Sequence, residues 1–290
     1  MRLPDAVPGS LPGPWAGGRV SSRIRCVLAP NPGPMALDGT NTYLLSEPGS
    51  GVAVVVDPGP DDDVHLGAVL DDLAAHDQRG ALVLLTHGHL DHSAGARRLA
   101  ERLGCAVRAV DPGHRWGADG LDDGAAIRVG GLEIQVVATP GHTADSVCLL
   151  LESDDALLTG DTVLGRGTTV VAHPDGRLRD YLGSLDRLEA VAQLSPSMRL
   201  MPGHGPAGAP VRDVVTAYRV HRAARLRQVQ ACVRAGASDV PSIVADVYAD
   251  VDRGLWPAAA LSVRAQVDYL TETGAVTEQD GRLAVSGRDA

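Results

Sequence analysis

No phenylalanine and no lysine occur among the 290 residues, and every one of the 26 basic side chains is arginine. We read this as codon bias without mechanistic content. Aromatic residues are scarce altogether, at 3% with three Trp and five Tyr, so there are few platforms on which unpaired bases can stack. The four cysteines, Cys26, Cys105, Cys148 and Cys232, lie far apart and form no C-x-x-C pair. That argues against a thiolate metal site or a disulfide, and for small buried hydrophobes in a reducing compartment. No long uncharged apolar run occurs, and the Pro- and Gly-rich stretch Met1 to Gly18 lacks the apolar core of a signal peptide. A cytoplasmic location without a membrane partner is the expectation. A Ser/His/Asp nucleophile elbow is also missing. A net charge of −10 disfavours a surface coated with nucleic-acid-binding charge.

What the chain does have is histidine in one place. The stretch THGHLDH puts His87, His89, Asp91 and His92 within six positions, directly after the apolar run Ala81 to Leu85. An unpaired neutral polar group costs about 2–7 kcal/mol in a core and an ionised one far more, so the cluster points to a metal site. Three later turns add His142 in TPGHT, Asp161 in TGDT and His204 in PGHG, each Gly-rich and each after a strand-like run. Five His and two Asp, without thiolate, suit zinc and would also hold manganese or iron.

This H-x-H-x-D-H signature followed by separate His, Asp and His resembles the metallo-beta-lactamase superfamily over residues 21 to 207. The resemblance implies an αββα sandwich with the metal cleft at one edge of two sheets. It also implies that His87, His89 and His142 hold one divalent ion, Asp91, His92 and His204 the other, and that Asp161 bridges them. A metal-bridging hydroxide would then be the nucleophile, with Asp91 orienting it and accepting its proton.

Pattern along the chain agrees with that fold class. Strands are expected at Arg23 to Ala29, Asn41 to Ser46 and Val52 to Val56, and a helix over 63 to 77 from Leu66, Val69, Leu70 and Leu73. A second helix is expected from Ser93, as N-cap, to Leu103. Further strands are expected at 105 to 110, 127 to 138, 147 to 151, 156 to 158 and 199 to 201, with a helix at 180 to 194. Asp57 ends an apolar strand and needs a partner; by resemblance it orients a ligand histidine. Asn41 and Thr42, beside a long Gly/Pro loop, are candidate substrate contacts, as are Gly167, Thr168 and Thr169 after the bridging Asp and His173 farther on. Trp15 reads as surface packing, and His65, His76 and His114 as surface or capping residues.

The composition changes after Gly208, which sets the expected domains at 1–207, a hydrolase, and 208–290. Helical spacing runs over 211 to 234, 243 to 247 and 257 to 270, and a hairpin-like tail turns at Asp280-Gly281. Three helices and a wing resemble a winged helix. With VLGRGTT, PGHGP and the Tyr218, His221, Arg222, Arg225 helix, the chain resembles the beta-lactamase-like protein 2 group almost throughout. That group includes a single-stranded RNA endonuclease and thioesterases acting on acyl carrier proteins.

The interval between Asp161 and His204 leaves no room for a beta-CASP cap, and the C-terminal segment is too short for a flavin domain. Cleavage of single-stranded RNA is the first expectation, supported by six arginines on helix 211–234. Hydrolysis of acyl thioesters, of the glyoxalase-II kind, is the second, with a small-molecule ester or thioester as substrate. A nucleic-acid-binding regulator built on the winged helix is third. Assembly into a homo-oligomer is left open.

Overall fold

The computed structural model describes residues 13–286; residues 1–12 of the expected irregular lead-in lie outside the described residues. Strands β1 (Gly18–Arg19), β2 (Ile24–Leu28), β3 (Asn41–Leu45) and β4 (Val52–Val56) form an antiparallel meander. Helix α1 (Asp63–Ala75) then returns the chain so that β5 (Arg79–Leu84) joins β4 in parallel, and α2 (Leu90–Ser93) with α3 (Ala96–Leu103) does the same for β6 (Ala106–Arg108). The second half repeats this plan. Strands β7 (Ala126–Val129), β8 (Leu132–Ala138), β9 (Val147–Leu151) and β10 (Ala156–Gly160) are antiparallel, and α4 (Leu178–Ala192) leads to β11 (Arg199–Pro202), parallel to β10. The sheet orders are β1-β2-β3-β4-β5-β6 and β11-β10-β9-β8-β7.

Both faces of both sheets are covered, which is why strands such as VAVVV and VCLLL read as continuous apolar runs. The two-residue period still sorts them. Leu44, Ala53, Val55 and Val83 pack outward under α1 and α3, whereas Tyr43, Leu45, Val54, Val56 and Leu84 pack inward against the second sheet. In β9, Val147, Leu149 and Leu151 face inward, and Cys148 and Leu150 face α4. The expected αββα sandwich is therefore present. One local expectation fails: Ser93 does not cap α3. It closes the short α2, its hydroxyl donates to the Gly88 carbonyl at 2.9 Å, and the residue before α3 is Gly95, with no side-chain cap.

Beyond β11, the long helix α5 (Val211–Arg234) belongs to two cores. Val211, Val214, Val215 and Tyr218 are buried with α4 and the second sheet. Val229 and Val233, three turns on, are buried with α6 (Val240–Val247), α7 (Trp256–Glu272) and the hairpin of β12 (Val276–Gln279) and β13 (Arg282–Val285). The hairpin turns at Asp280 and Gly281, both at positive φ, the backbone an Asp-Gly pair adopts most readily. These helices and their wing form the expected winged helix.

The turns after β4, β5, β8, β10 and β11 all come to one edge of the sandwich. Backbone bonds tie them together: Asn41 N to Gly203 O, Gly203 N to Gly160 O, and Val147 N to Thr86 O, each at 2.8 Å.

Candidate metal centre

The turn after β5 supplies His87, His89, Asp91 and His92, and the turns after β8, β10 and β11 supply His142, Asp161 and His204. Their donor atoms fall into two sets, His87, His89, His142 and Asp161 in one and Asp91, His92 and His204 in the other. Within each set the atoms lie within 4.8 Å of one another. Asp161 also approaches the second set, with Oδ2 3.3 Å from His204 Nε2 and Oδ1 3.5 Å from His92 Nε2. Close approach requires glycine. A Cβ on Gly203 would stand 2.5 Å from Asp161 Oδ1 and 2.7 Å from His92 Cε1, so only a bare backbone lets the His204 turn pass there.

In four of the five rings the outer nitrogen has an acceptor that fixes the ring's orientation. Nδ1 of His142 donates to the Val170 carbonyl at 2.7 Å, and Nδ1 of His204 to Gly39 O at 3.1 Å. Nδ1 of His92 donates to Asp57 Oδ2 at 3.0 Å. The Thr86 hydroxyl gives its proton to Asp57 Oδ2 at 2.6 Å and is left to accept from His87 Nδ1 at 3.1 Å. Four Nε2 atoms therefore point inward. His92 Nε2 and His204 Nε2 face each other at 3.1 Å, and His89 Nδ1 lies 3.1 Å from Nε2 of both His87 and His142. Ring nitrogens this close repel one another whether both are bare or both are protonated, and Asp161 Oδ1 is buried without a hydrogen-bond partner. A cation among these atoms resolves every one of those conflicts, so the residues fit divalent metal.

Ionisation tells the same story. Burial opposes charging of His92 and His204, yet the Asp161 carboxylate outweighs it, holding His92 well above the imidazole range and His204 at about 9. Asp161, although buried, is kept well below the carboxylate range by His204 and His92. His87 goes the other way, pushed well down by burial and by neighbouring His92. The pocket thus demands positive charge at its centre and refuses it at the His87 side.

Asp57 stands behind the His92 ring. It is 2% exposed, at φ 50°, and takes the Thr86 N–H on Oδ1 at 2.8 Å as well as His92 and the Thr86 hydroxyl on Oδ2. Gly167 and Thr168 are half-buried in the turn following Asp161.

Four candidate contacts are placed elsewhere. Asn41 is fully buried, and its amide donates to Pro202 O and Gly205 O while Trp15 Nε1 donates to its oxygen at 2.7 Å. It clamps the His204 turn and has no free group for substrate; Trp15, read as surface packing, is its partner. Thr42 is likewise fully buried, its hydroxyl donating to Asp57 O at 2.6 Å and lying 2.8 Å from His65 Nε2. The Thr169 hydroxyl donates to the Asp161 carbonyl at 2.7 Å. His173 is exposed and turned to Asp268 on α7, at 3.0 Å.

Three residues take places that the sequence reading did not give them. His65 is buried, at 1% exposure, not on the surface. His114 lies over the metal turn, since a Cβ on Gly88 would come within 2.6 Å of its Nε2. Arg222 reaches the Thr169 carbonyl from α5. No local motif marks these contacts, since each partner is distant in sequence.

Residues 35–204 match the model of the Metallo-beta-lactamase superfamily, and residues 240–283 that of the Beta-lactamase associated winged helix domain. The chain is 32% identical over 271 residues to a Beta-lactamase-like protein 2 homolog of Caenorhabditis elegans, covering 89% of this chain and 87% of that one. It is 36% identical over 192 residues to an Atrochrysone carboxyl ACP thioesterase of Aspergillus fumigatus, covering 64% and 57% of the two chains. Among solved structures, a Beta-lactamase domain protein from Burkholderia ambifaria superposes with a TM-score of 0.80 at 25% identity over 96% of each chain.

Proposed function

The chain belongs to the metallo-beta-lactamase superfamily, a hydrolase with that family's associated winged helix, and from this premise we propose that it hydrolyses acyl thioesters at a dinuclear metal site. The observation that carries the reading is the inward convergence of four Nε2 atoms around a carboxylate whose Oδ1 is buried without a partner. His87, His89 and His142 would hold one ion, Asp91, His92 and His204 the other, and Asp161 both, with zinc the best match to the donor set. When bound, two such ions make water nucleophilic at neutral pH and polarise the acyl carbonyl.

The chain's own residues do the rest. Asp91 is the most open carboxylate of the set, its side chain 36% exposed, and its Oδ2 lies 3.2 Å from His204 Nε2. In the metal-free chain burial pushes its pKa up, but the His204 hydrogen bond and the His92 charge outweigh that and hold it below the ordinary carboxylate range; as a carboxylate it would take a proton from the attacking water. Asp57 and Thr86 fix the His92 and His87 rings. A thiolate leaving group needs no general acid, which agrees with a site in which each buried imidazole has both nitrogens occupied.

Thioesters take precedence over RNA, reversing the order the sequence suggests. A relative is named for acyl carrier protein thioester cleavage. Moreover, the arginines of α5 do not form one free basic stripe. Arg219 pairs with Asp186 and Glu189, Arg222 is buried, and Arg225 stacks on Tyr248 at 4.7 Å. We assign the hydrolase domain to 1–207 and the winged-helix-like domain to 208–290, α5 entering both cores. No helix among the described residues is long and apolar enough to cross a membrane, and we place the protein in the cytoplasm.

The test is turnover of acyl-coenzyme A, acyl-N-acetylcysteamine and acyl carrier protein thioesters by zinc- or manganese-loaded protein, beside an unstructured RNA, with Asp161→Asn as control. Thioester turnover lost in the variant supports the proposal. RNA cleavage with every thioester intact would replace it with the nuclease reading.

A further inference from the structure

Arg222 is 6% exposed, and a buried guanidinium is costly unless its hydrogen bonds are made. It is met by a carbonyl and an aromatic ring rather than by a carboxylate. One Nη2–H donates to Thr169 O, the guanidinium lies 4.8 Å over the Tyr181 ring, and its Nε has no partner. A side chain that only filled space here would be apolar, so the charge calls for a reason.

The reason lies two bonds farther on. The Thr169 hydroxyl donates to the Asp161 carbonyl at 2.7 Å, Tyr181 Oη donates to the Thr162 carbonyl at 2.6 Å, and Tyr218 Oη accepts from Leu164 N at 2.9 Å. The turn that presents Asp161 is therefore held at three points, by Thr169 of the loop that follows it, by Tyr181 of α4 and by Tyr218 of α5. Arg222 joins two of them, gripping Thr169 from one side while stacking on Tyr181 on the other. It is the one member of the set that carries charge. α5 continues from there into the winged-helix core, so the turn is anchored to a helix that the C-terminal module stabilises.

We propose that Arg222 is a positioning residue for the metal centre, acting through Thr169 to fix the backbone of Asp161, and that through it the winged-helix module is part of the machinery that holds the metals. The proposal rests on the assignment of Asp161 as the shared ligand. Neutralising Arg222 should loosen the Asp161 turn and weaken the ions it bridges, with little effect on ligands carried by the β5 turn.

The test uses the full chain and measures metal directly. Zinc affinity and stoichiometry are read by competition with a chromophoric chelator, and the cobalt-substituted protein by its visible spectrum, for native protein, Arg222→Leu, Arg222→Lys, Thr169→Val and Asp161→Asn. Thermal unfolding of the metal-free forms runs in parallel. The expected result is at least tenfold weaker binding of one zinc equivalent and an altered cobalt spectrum in Arg222→Leu and Thr169→Val, with partial recovery in Arg222→Lys. A lowered unfolding temperature with unchanged affinity and spectrum would make Arg222 merely structural and overturn the proposal. If Arg222→Leu does not fold, Thr169→Val decides by the same criterion. Native metal binding unaffected by Asp161→Asn would instead overturn the ligand assignment, and failure to bind metal at all would overturn both.

Discussion

Oδ2 of Asp57 lies 3.0 Å from Nδ1 of His92, in a pair whose members are 2% and 0% exposed. The same oxygen accepts the Thr86 hydroxyl, whose own oxygen accepts from His87. One carboxylate thus sets the tautomer of two rings, one in each donor set. Asp57→Asn keeps the shape but turns the carboxylate into a group that cannot accept all three bonds. We expect roughly 10- to 100-fold weaker metal binding, with both equivalents affected because His87 and His92 are both released. Chelator competition measures it, and a loss confined to one ion would contradict the shared role.

Gly203→Ala tests close approach in place of chemistry. The added methyl would meet Asp161 Oδ1 at 2.5 Å and His92 Cε1 at 2.7 Å, both below normal contact. No ligand is removed, yet the His204 turn must back away. The expected outcome is a protein that folds but holds fewer than two zinc equivalents at micromolar zinc, read by elemental analysis after gel filtration. Full occupancy would mean the turn has slack that the distances deny.

Whether such a relationship can be read from sequence depends on its span. The candidate donor cluster was legible because four of its residues sit in the seven of THGHLDH and the others each follow an apolar strand at a Gly-rich turn. The two sheets were legible because residues such as Val54, Val55 and Val56 had to be buried somewhere. What could not be read were partners set by tertiary contact. Asn41 and Thr42 look like loop residues facing a cleft until Pro202, Gly205, Asp57 and His65 consume their hydrogen bonds. His173 sits near Asp161 in sequence but turns to Asp268, and Ser93 looked like a cap because nothing local showed that the helix would break at Ala94 and Gly95.

His65 makes acid stability measurable. Burial holds its pKa down at about 4, against an ordinary 6.5, with Asp62 only partly opposing. Between those values the unfolded chain takes a proton that the folded chain refuses, so stability is full above pH 6.5 and falls as the pH drops toward 4. The loss over that interval is at most about 3 kcal/mol. Urea unfolding of metal-free protein at pH 4.5 and 7.5 should show a smaller difference for His65→Gln than for the native chain. Equal pH dependence in the two would mean that His65 is protonated in the fold.

Asn41 allows a sharper separation of positioning from stability. Its amide satisfies the Pro202 and Gly205 carbonyls at 2.9 Å each, the two residues that flank the His204 turn, in a site with no exposure. Asn41→Ala leaves these acceptors and the Trp15 N–H without their partner, at roughly 1–3 kcal/mol per buried group. Leu44→Ala, three residues along the same sheet and fully buried under α1 and α3, should cost a similar amount, about 2–5 kcal/mol, through a cavity. Were stability all that mattered, the two variants would lose metal alike. Because Asn41 holds the backbone that aims His204, we expect Asn41→Ala alone to weaken one zinc equivalent, by tenfold or more, while Leu44→Ala binds both as the native chain does. Matching affinities in two equally destabilised variants would reduce Asn41 to a stabilising residue.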